Sequence, residues 1–241
     1  MLKKNKQEKN WKKQEQITNC IPNYMERKSK GFLFSFYICT MNWSTTLSLI
    51  SFLFCMHLLS AQVEIRDAFA AQFSTEIHEV YASYPELQNN RVIFKSANIS
   101  SSLNARPTIL SLLFRRRSKR TYVIRINASK KDSIVTLDEV PQQAVVGVIG
   151  HEFCHVLDYH TKSFWGVLGR GFAYMTRKGK GNFEKEIDSI AISRGFGEGL
   201  YLWSDHVLNH SDASARYKEY KRAVYYRPEE IRELIELHNT H

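Results

Sequence analysis

The sequence predicts an α+β domain behind an apolar leader. Three observations carry that reading. Residues 91–96 and 121–127 are β-rich runs, long segments of three- and four-residue apolar spacing dominate the second half, and residues 31–63 contain no Asp, Glu, Lys or Arg. Strands gathered ahead of helices, with little alternation between them, argue for α+β over a doubly wound sheet.

The leader comes first. Residues 1–61 hold nine Lys or Arg against three Glu, while residues 62–241 hold 25 basic and 21 acidic side chains. Most of the formal charge of +10 therefore sits in residues 1–61, and no nucleic-acid partner is expected of the remainder. Residues 47–59 form an apolar run of signal-peptide length that ends at the small residues Ser60 and Ala61, where cleavage would fall. The alternative is an uncleaved anchor, because residues 31–61 are long enough for the ~20 apolar residues a bilayer span requires. Translation from Met41 leaves no basic residue ahead of the run, whereas translation from Met1 places Arg27, Lys28 and Lys30 there. Either way the domain, residues 62–241, is expected outside the cytoplasm, exported or membrane-anchored, with membrane association through the apolar segment. Only Cys154 of the four cysteines lies in that domain, so no intrachain disulfide framework is expected there.

Within the domain, Ile65, Phe69, Phe73, Ile77, Val80 and Tyr84 recur at helical spacing, predicting a helix over residues 63–83 stopped by Pro85. Residues 91–96 and 121–127 are predicted strands, with a weaker strand near residues 108–114. The run Arg115-Arg116-Arg117-Ser118-Lys119-Arg120 reads as a charged hairpin tip, or else as a contact for an anionic partner such as a lipid headgroup or an acidic substrate. Pro141 opens a helix to residue 159, since a first-turn proline forfeits no needed hydrogen bond. Gly147 and Gly150 within it cost about 1 kcal/mol each against Ala, and imply close approach by a neighbouring element. A further helix spans residues 163–175, and Lys178-Gly179-Lys180-Gly181 breaks the chain before a helix capped by Asn182 that runs to residue 193. Gly195, Gly197 and Gly199 end it, and Pro228 starts the last helix.

The chemistry lies in His151-Glu152-Phe153-Cys154-His155. Histidines four apart on a helix present both imidazoles on one face, where they can share a tetrahedral ion. Glu152 stands beside the first of them, and H-E-x-x-H is a zinc-hydrolase signature with a carboxylate base. A third protein ligand is required, and Glu184 is the choice. Asp188, one turn on, would accept the outer N–H of a ligand histidine and fix the ring.

His151-Glu152-Phe153-Cys154-His155 followed by Glu184-Lys185-Glu186-Ile187-Asp188 resembles the gluzincin metallopeptidases, nearest to the branch with an E-x-x-A-D second motif that includes the CAAX-prenyl-protease-like peptidases. The resemblance covers roughly residues 140–200, and Ile187 replaces the usual Ala. It implies a zincin-like domain with a small sheet and an active-site helix, Zn2+ held by His151, His155 and Glu184, Glu152 as general base, and Asp188 behind the ligands. A protein or peptide would be the substrate. It also implies that strand 121–127 is an edge strand able to pair with extended substrate. Tyr225, Tyr226, His206 and His210 are candidates for the group that steadies the oxyanion.

Plainer readings stand beside these. His160 lies about 140° around the helix from His155 and is a poorer ligand than Glu184. Asp158 suits a helix end, Cys154 a small buried side chain, and His206 with His210 a solvated helix face. Trp165, Phe172 and Trp203 are expected in the core. The competing function is a zinc-binding protein of the same fold that binds a partner without turnover; a third reading is a basic surface-binding protein using residues 115–120.

Overall fold

The computed structural model describes residues 63–129 and 134–240, and the expectations for residues 1–61 fall outside them. The described residues belong to one unit, Ala61–His241. They are α+β, with a four-stranded mixed sheet and helices that follow it.

The sheet order is β1-β2-β4-β3. β2 (Arg91–Ala97) and β4 (Thr121–Asn127) are the predicted strands and pair in parallel from Arg91↔Thr121 to Ala97↔Asn127. β1 (Val63–Ile65) adds in parallel to β2, where a helix was expected to begin. Three residues of apolar spacing fit either state, and the edge of β2 decided it. The helical pattern survives beyond that point as α1 (Ala68–Ala71) and α2 (Ser74–Ala82). Asp67 caps α1, accepting from the Ala70 amide at 3.0 Å, and its other oxygen accepts from the Ser96 amide in β2 at 2.7 Å.

The weaker strand expectation fails. β3 (Leu103–Pro107) takes the antiparallel place on β4, and residues 109–114 instead form a short helix, α3 (Ile109–Phe114). Ser111 explains the switch: its hydroxyl donates to the Thr121 carbonyl and accepts from the Thr121 amide, occupying ladder groups that a longer strand would need. Residues 115–120 do connect antiparallel neighbours, but two of the arginines are not merely solvated. Buried Arg120 donates to the carbonyls of Tyr159 and Lys162, and Arg117 donates to that of Thr161. Cations there satisfy the orphan carbonyls at a helix C-terminus and oppose its dipole.

That helix is α4 (Gln142–Thr161), preceded by Pro141 as expected. One side packs on the sheet: Phe153 stacks on Tyr84 with centroids 5.2 Å apart and meets Phe94 at 5.7 Å. The Tyr84 hydroxyl donates to the Gly150 carbonyl at 2.8 Å, fixing α4 to the end of α2. α5 (Phe164–Ala173) is capped by Ser163. α6 (Arg177–Ala191) starts at its cap Thr176, a full turn and more before Asn182, so the Lys-Gly-Lys-Gly run lies inside the helix. The cap bond from the Gly179 amide to Thr176 Oγ1, 3.0 Å, offsets part of the poor propensity of two glycines.

Of the three glycines expected to end this helix, only Gly195 does so: φ is +89° there, in the wide turn at Ile192–Phe196, a conformation that favours glycine. Gly197 and Gly199 lie within α7 (Gly197–Asp205). A Cβ on Gly199 would stand 2.4 Å from the Gln143 carbonyl oxygen, and one on Gly147 2.2 Å from the Gly199 carbonyl carbon. The backbones of α4 and α7 therefore touch, which is the close approach the helix-interior glycines implied. α8 (Ala215–Val224) and α9 (Pro228–Asn239) complete the domain. No helix among the described residues is long and apolar enough to cross a membrane.

Candidate metal centre

α4 turns two faces to two environments. Ile149, Phe153 and Val156 enter the apolar core, while His151 and His155, a turn apart, face α6. Glu184 and Asp188 face back from α6, flanked by buried Phe183, Ile187 and Ala191. All five of the predicted site residues, Glu152 included, are buried.

Three donor atoms converge. His155 Nε2 lies 3.1 Å from His151 Nε2, and each ring nitrogen is 3.2 Å from Glu184 Oε2. Among the described residues this is the group of His, Cys, Asp or Glu side chains able to hold a metal ion. A four-coordinate ion with bonds of ~2.0–2.2 Å separates its ligand atoms by roughly 3.3–3.5 Å. The three observed separations sit just under that range, so the donors fit a small tetrahedral cation with little movement.

The supporting bonds fix the donors from behind. His151 Nδ1 is 2.7 Å from Asp188 Oδ1, which turns Nε2 toward the cluster, and Asp188 Oδ2 accepts from the Tyr226 amide. Tyr174 donates its hydroxyl to Glu184 Oε1 at 2.6 Å, leaving Oε2 for the cluster. The His155 ring is held by aromatic neighbours, Phe183 at 5.2 Å and Tyr159 at 6.1 Å. Arg170 of α5 bridges the two ligand helices, donating to Asp158 on α4 and Glu186 on α6 while lying over Phe183 at 4.3 Å.

Electrostatics record the crowding. Burial works against protonation of His151, but Asp188 and Glu184 outweigh it and push the ring up to about 10. Burial alone would raise the Glu184 carboxyl; His155 and His151 instead hold it well below 4.5. Without a cation these groups pair by binding a proton, and a divalent ion can take the proton's place. Glu152 differs. Burial raises its carboxyl above 4.5, only partly opposed by His155 and His151, and Oε2 is buried without a hydrogen-bond partner. His155 Nδ1 is likewise unpartnered.

No family model, no curated protein and no solved structure matches this chain. The case for the site therefore rests on its own geometry.

Other expectations resolve here. β4 lies between β2 and β3, so it is not an edge strand and its ladder has no room for substrate. β3 is the edge on that side, and it packs against α4. Of the oxyanion candidates, Tyr225 stands 6.0 Å from the His151 ring, whereas exposed His210 pairs with Asp205. Burial and nearby Glu184 raise the Tyr225 phenol well above 10, so it stays a donor. His160 is outside the cluster, with Arg120 and Arg117 among its neighbours. Asp158 is a helix-end partner of Lys162 and Arg170, and Cys154 is buried. Trp203 is in the core as expected, but Trp165 and Phe172 are exposed. Tyr174 and Arg170 had not been singled out, because their bonds to Glu184, Asp158 and Glu186 depend on how α5 packs against the ligand helices.

Proposed function

We propose that this domain is a zincin-like, zinc-dependent metallohydrolase of gluzincin type, acting on peptide bonds. The observation that carries the reading is the convergence of His151, His155 and Glu184, with buried Glu152 close enough to feel the charge of all three and its Oε2 without a hydrogen-bond partner. A buried carboxylate oxygen without a hydrogen-bond partner carries a free-energy cost and is left free to accept a proton. A general base needs that freedom.

His151, His155 and Glu184 would hold the ion. When bound, zinc supplies Lewis acidity that polarises a carbonyl and makes water acidic near neutral pH. Glu152 accepts the proton on Oε2 as water attacks, then returns it to the departing amine. Asp188 and Tyr174 keep His151 and Glu184 in orientation throughout. Tyr225, its ring 6.0 Å from that of His151, would donate to the oxyanion, and β3, the outer strand beside α4, would pair with an extended peptide.

The test compares wild-type protein with Glu152→Ala for bound zinc and for cleavage of a casein-like substrate. Zinc retained in both, with cleavage at least about a hundredfold lower in the variant, supports the enzyme. Zinc in both with no turnover in the wild type favours the alternative, a non-catalytic zinc-binding module that recognises a partner. Absence of zinc removes both.

A further inference from the structure

α5 carries its apolar stripe outward. Trp165, Leu168, Phe172 and Met175 recur at three- and four-residue spacing along and just past the helix, and Trp165, Phe172 and Met175 are 66–76% exposed. The inward side is Val167 and Arg170. An amphipathic helix ordinarily buries its apolar side. Single exposed apolar residues are unremarkable, but contiguous ones mark a contact surface. α3 repeats the pattern, with Ile109, Leu110, Leu113 and Phe114 each more than half exposed.

Both segments adjoin the C-terminal end of α4. Arg117, three residues past Phe114, donates to the Thr161 carbonyl, and Arg120 donates to that of Lys162, the residue before the α5 cap. The charge around them has one sign. No acidic residue lies between Glu86 and Asp132 or between Asp158 and Glu184. Arg115, Arg116, Lys119, Arg177 and Lys178 are exposed beside the two segments, and no carboxylate among the described residues pairs with them.

We infer that α3 and α5 form a surface that lies on a bilayer containing anionic lipid. Trp165, Phe172, Leu110 and Phe114 enter the headgroup region, and the arginines and lysines meet phosphates. Convex helices bearing aromatic and aliphatic side chains within a basic border have the chemistry of an interfacial segment rather than of a peptide groove. Such contact would hold the metal cluster near the membrane, because Tyr174, next to Met175, donates to Glu184. The inference does not depend on the cluster being catalytic.

The test uses the full chain with vesicles of phosphatidylcholine, with and without phosphatidylglycerol. The emission lost in Trp165→Phe, which isolates that side chain, should be quenched by brominated acyl chains in the anionic vesicles. Arg115→Glu/Arg116→Glu should weaken binding roughly tenfold or more, and Phe114→Ser/Phe172→Ser should weaken it similarly, with unchanged circular dichroism because all four side chains are exposed. An unquenched Trp165 overturns the proposal, even if vesicles are bound, and leaves residues 31–61 as the membrane contact. Loss of a dimer in Phe114→Ser/Phe172→Ser, with vesicle binding intact, overturns it in favour of a second copy of this chain.

Discussion

His151 and Asp188 show how much one carboxylate can settle. The ring is a useful ligand only if its proton is kept on Nδ1, and the 2.7 Å contact with Asp188 does that. Asp188→Asn should retain the fold and lower zinc affinity by about 10–100-fold, measured by competition with a chromogenic chelator. Cys154 is the contrasting case. Burial is the main cause that pushes its thiol up to about 12, so the thiolate is scarce near neutrality. Alkylation of Cys154 should therefore occur only after unfolding, and modification of native protein at a peptide-thiol rate would contradict its packing. Asp67 supplies the pH dependence. Burial would raise its carboxyl, but the amides of Ala70 and Ser96 outweigh it and hold it below 3.8. A depressed carboxyl contributes stability above its unfolded value and loses it as pH falls through the folded one. Urea unfolding between about pH 5 and 2 should show that loss in wild type and a shallower one in Asp67→Asn. At this scale Glu152 was legible because it stands next to His151 in the pair of histidines four apart, and Glu184 and Asp188 because they follow that motif one turn apart on the next long helix. Tyr174 was not, since its bond to Glu184 depends on how the end of α5 lies against α6.

Helices meet here by contact between backbones. Gly199→Ala would drive a methyl to 2.4 Å from the Gln143 carbonyl oxygen in α4, and no flexible side chain is there to yield. The variant should lose about 3 kcal/mol of stability, read from thermal or urea unfolding, and should weaken metal binding as α4 shifts. That α4 needed a close neighbour was readable from Gly147 and Gly150 inside an apolar helix; that the neighbour is α7 was not. Three of the elements misjudged from sequence share a cause. β1 versus helix, α3 versus strand and the start of α6 were each decided by a partner elsewhere: β2 for the first, Thr121 for the second and the Thr176 cap for the third.

Across the molecule the ligands come from two helices, α4 and α6, so a bound ion clips them together and its removal should be felt globally. Chelation should lower the unfolding midpoint, the free energy of unfolding falling by the ligand linkage, ~4 kcal/mol at a thousandfold excess over Kd. Acidification should do the same as the ligands take up protons in place of metal, and an unchanged midpoint in calorimetry with and without chelator would count against a structural ion. What the amino-acid sequence determined by itself was the α+β class, β2, β4, the helix that carries His151 and His155, and Glu184 as their partner in a group able to hold a metal ion, because periodicity and spacing are properties of the local chain. The tertiary structure alone decided that β4 is central, that Arg120 closes α4, that Tyr174 holds Glu184, and that Trp165 and Phe172 face outward. Each of those depends on which segments approach one another, and burial of a side chain is a property of its neighbours, not of its position in the chain.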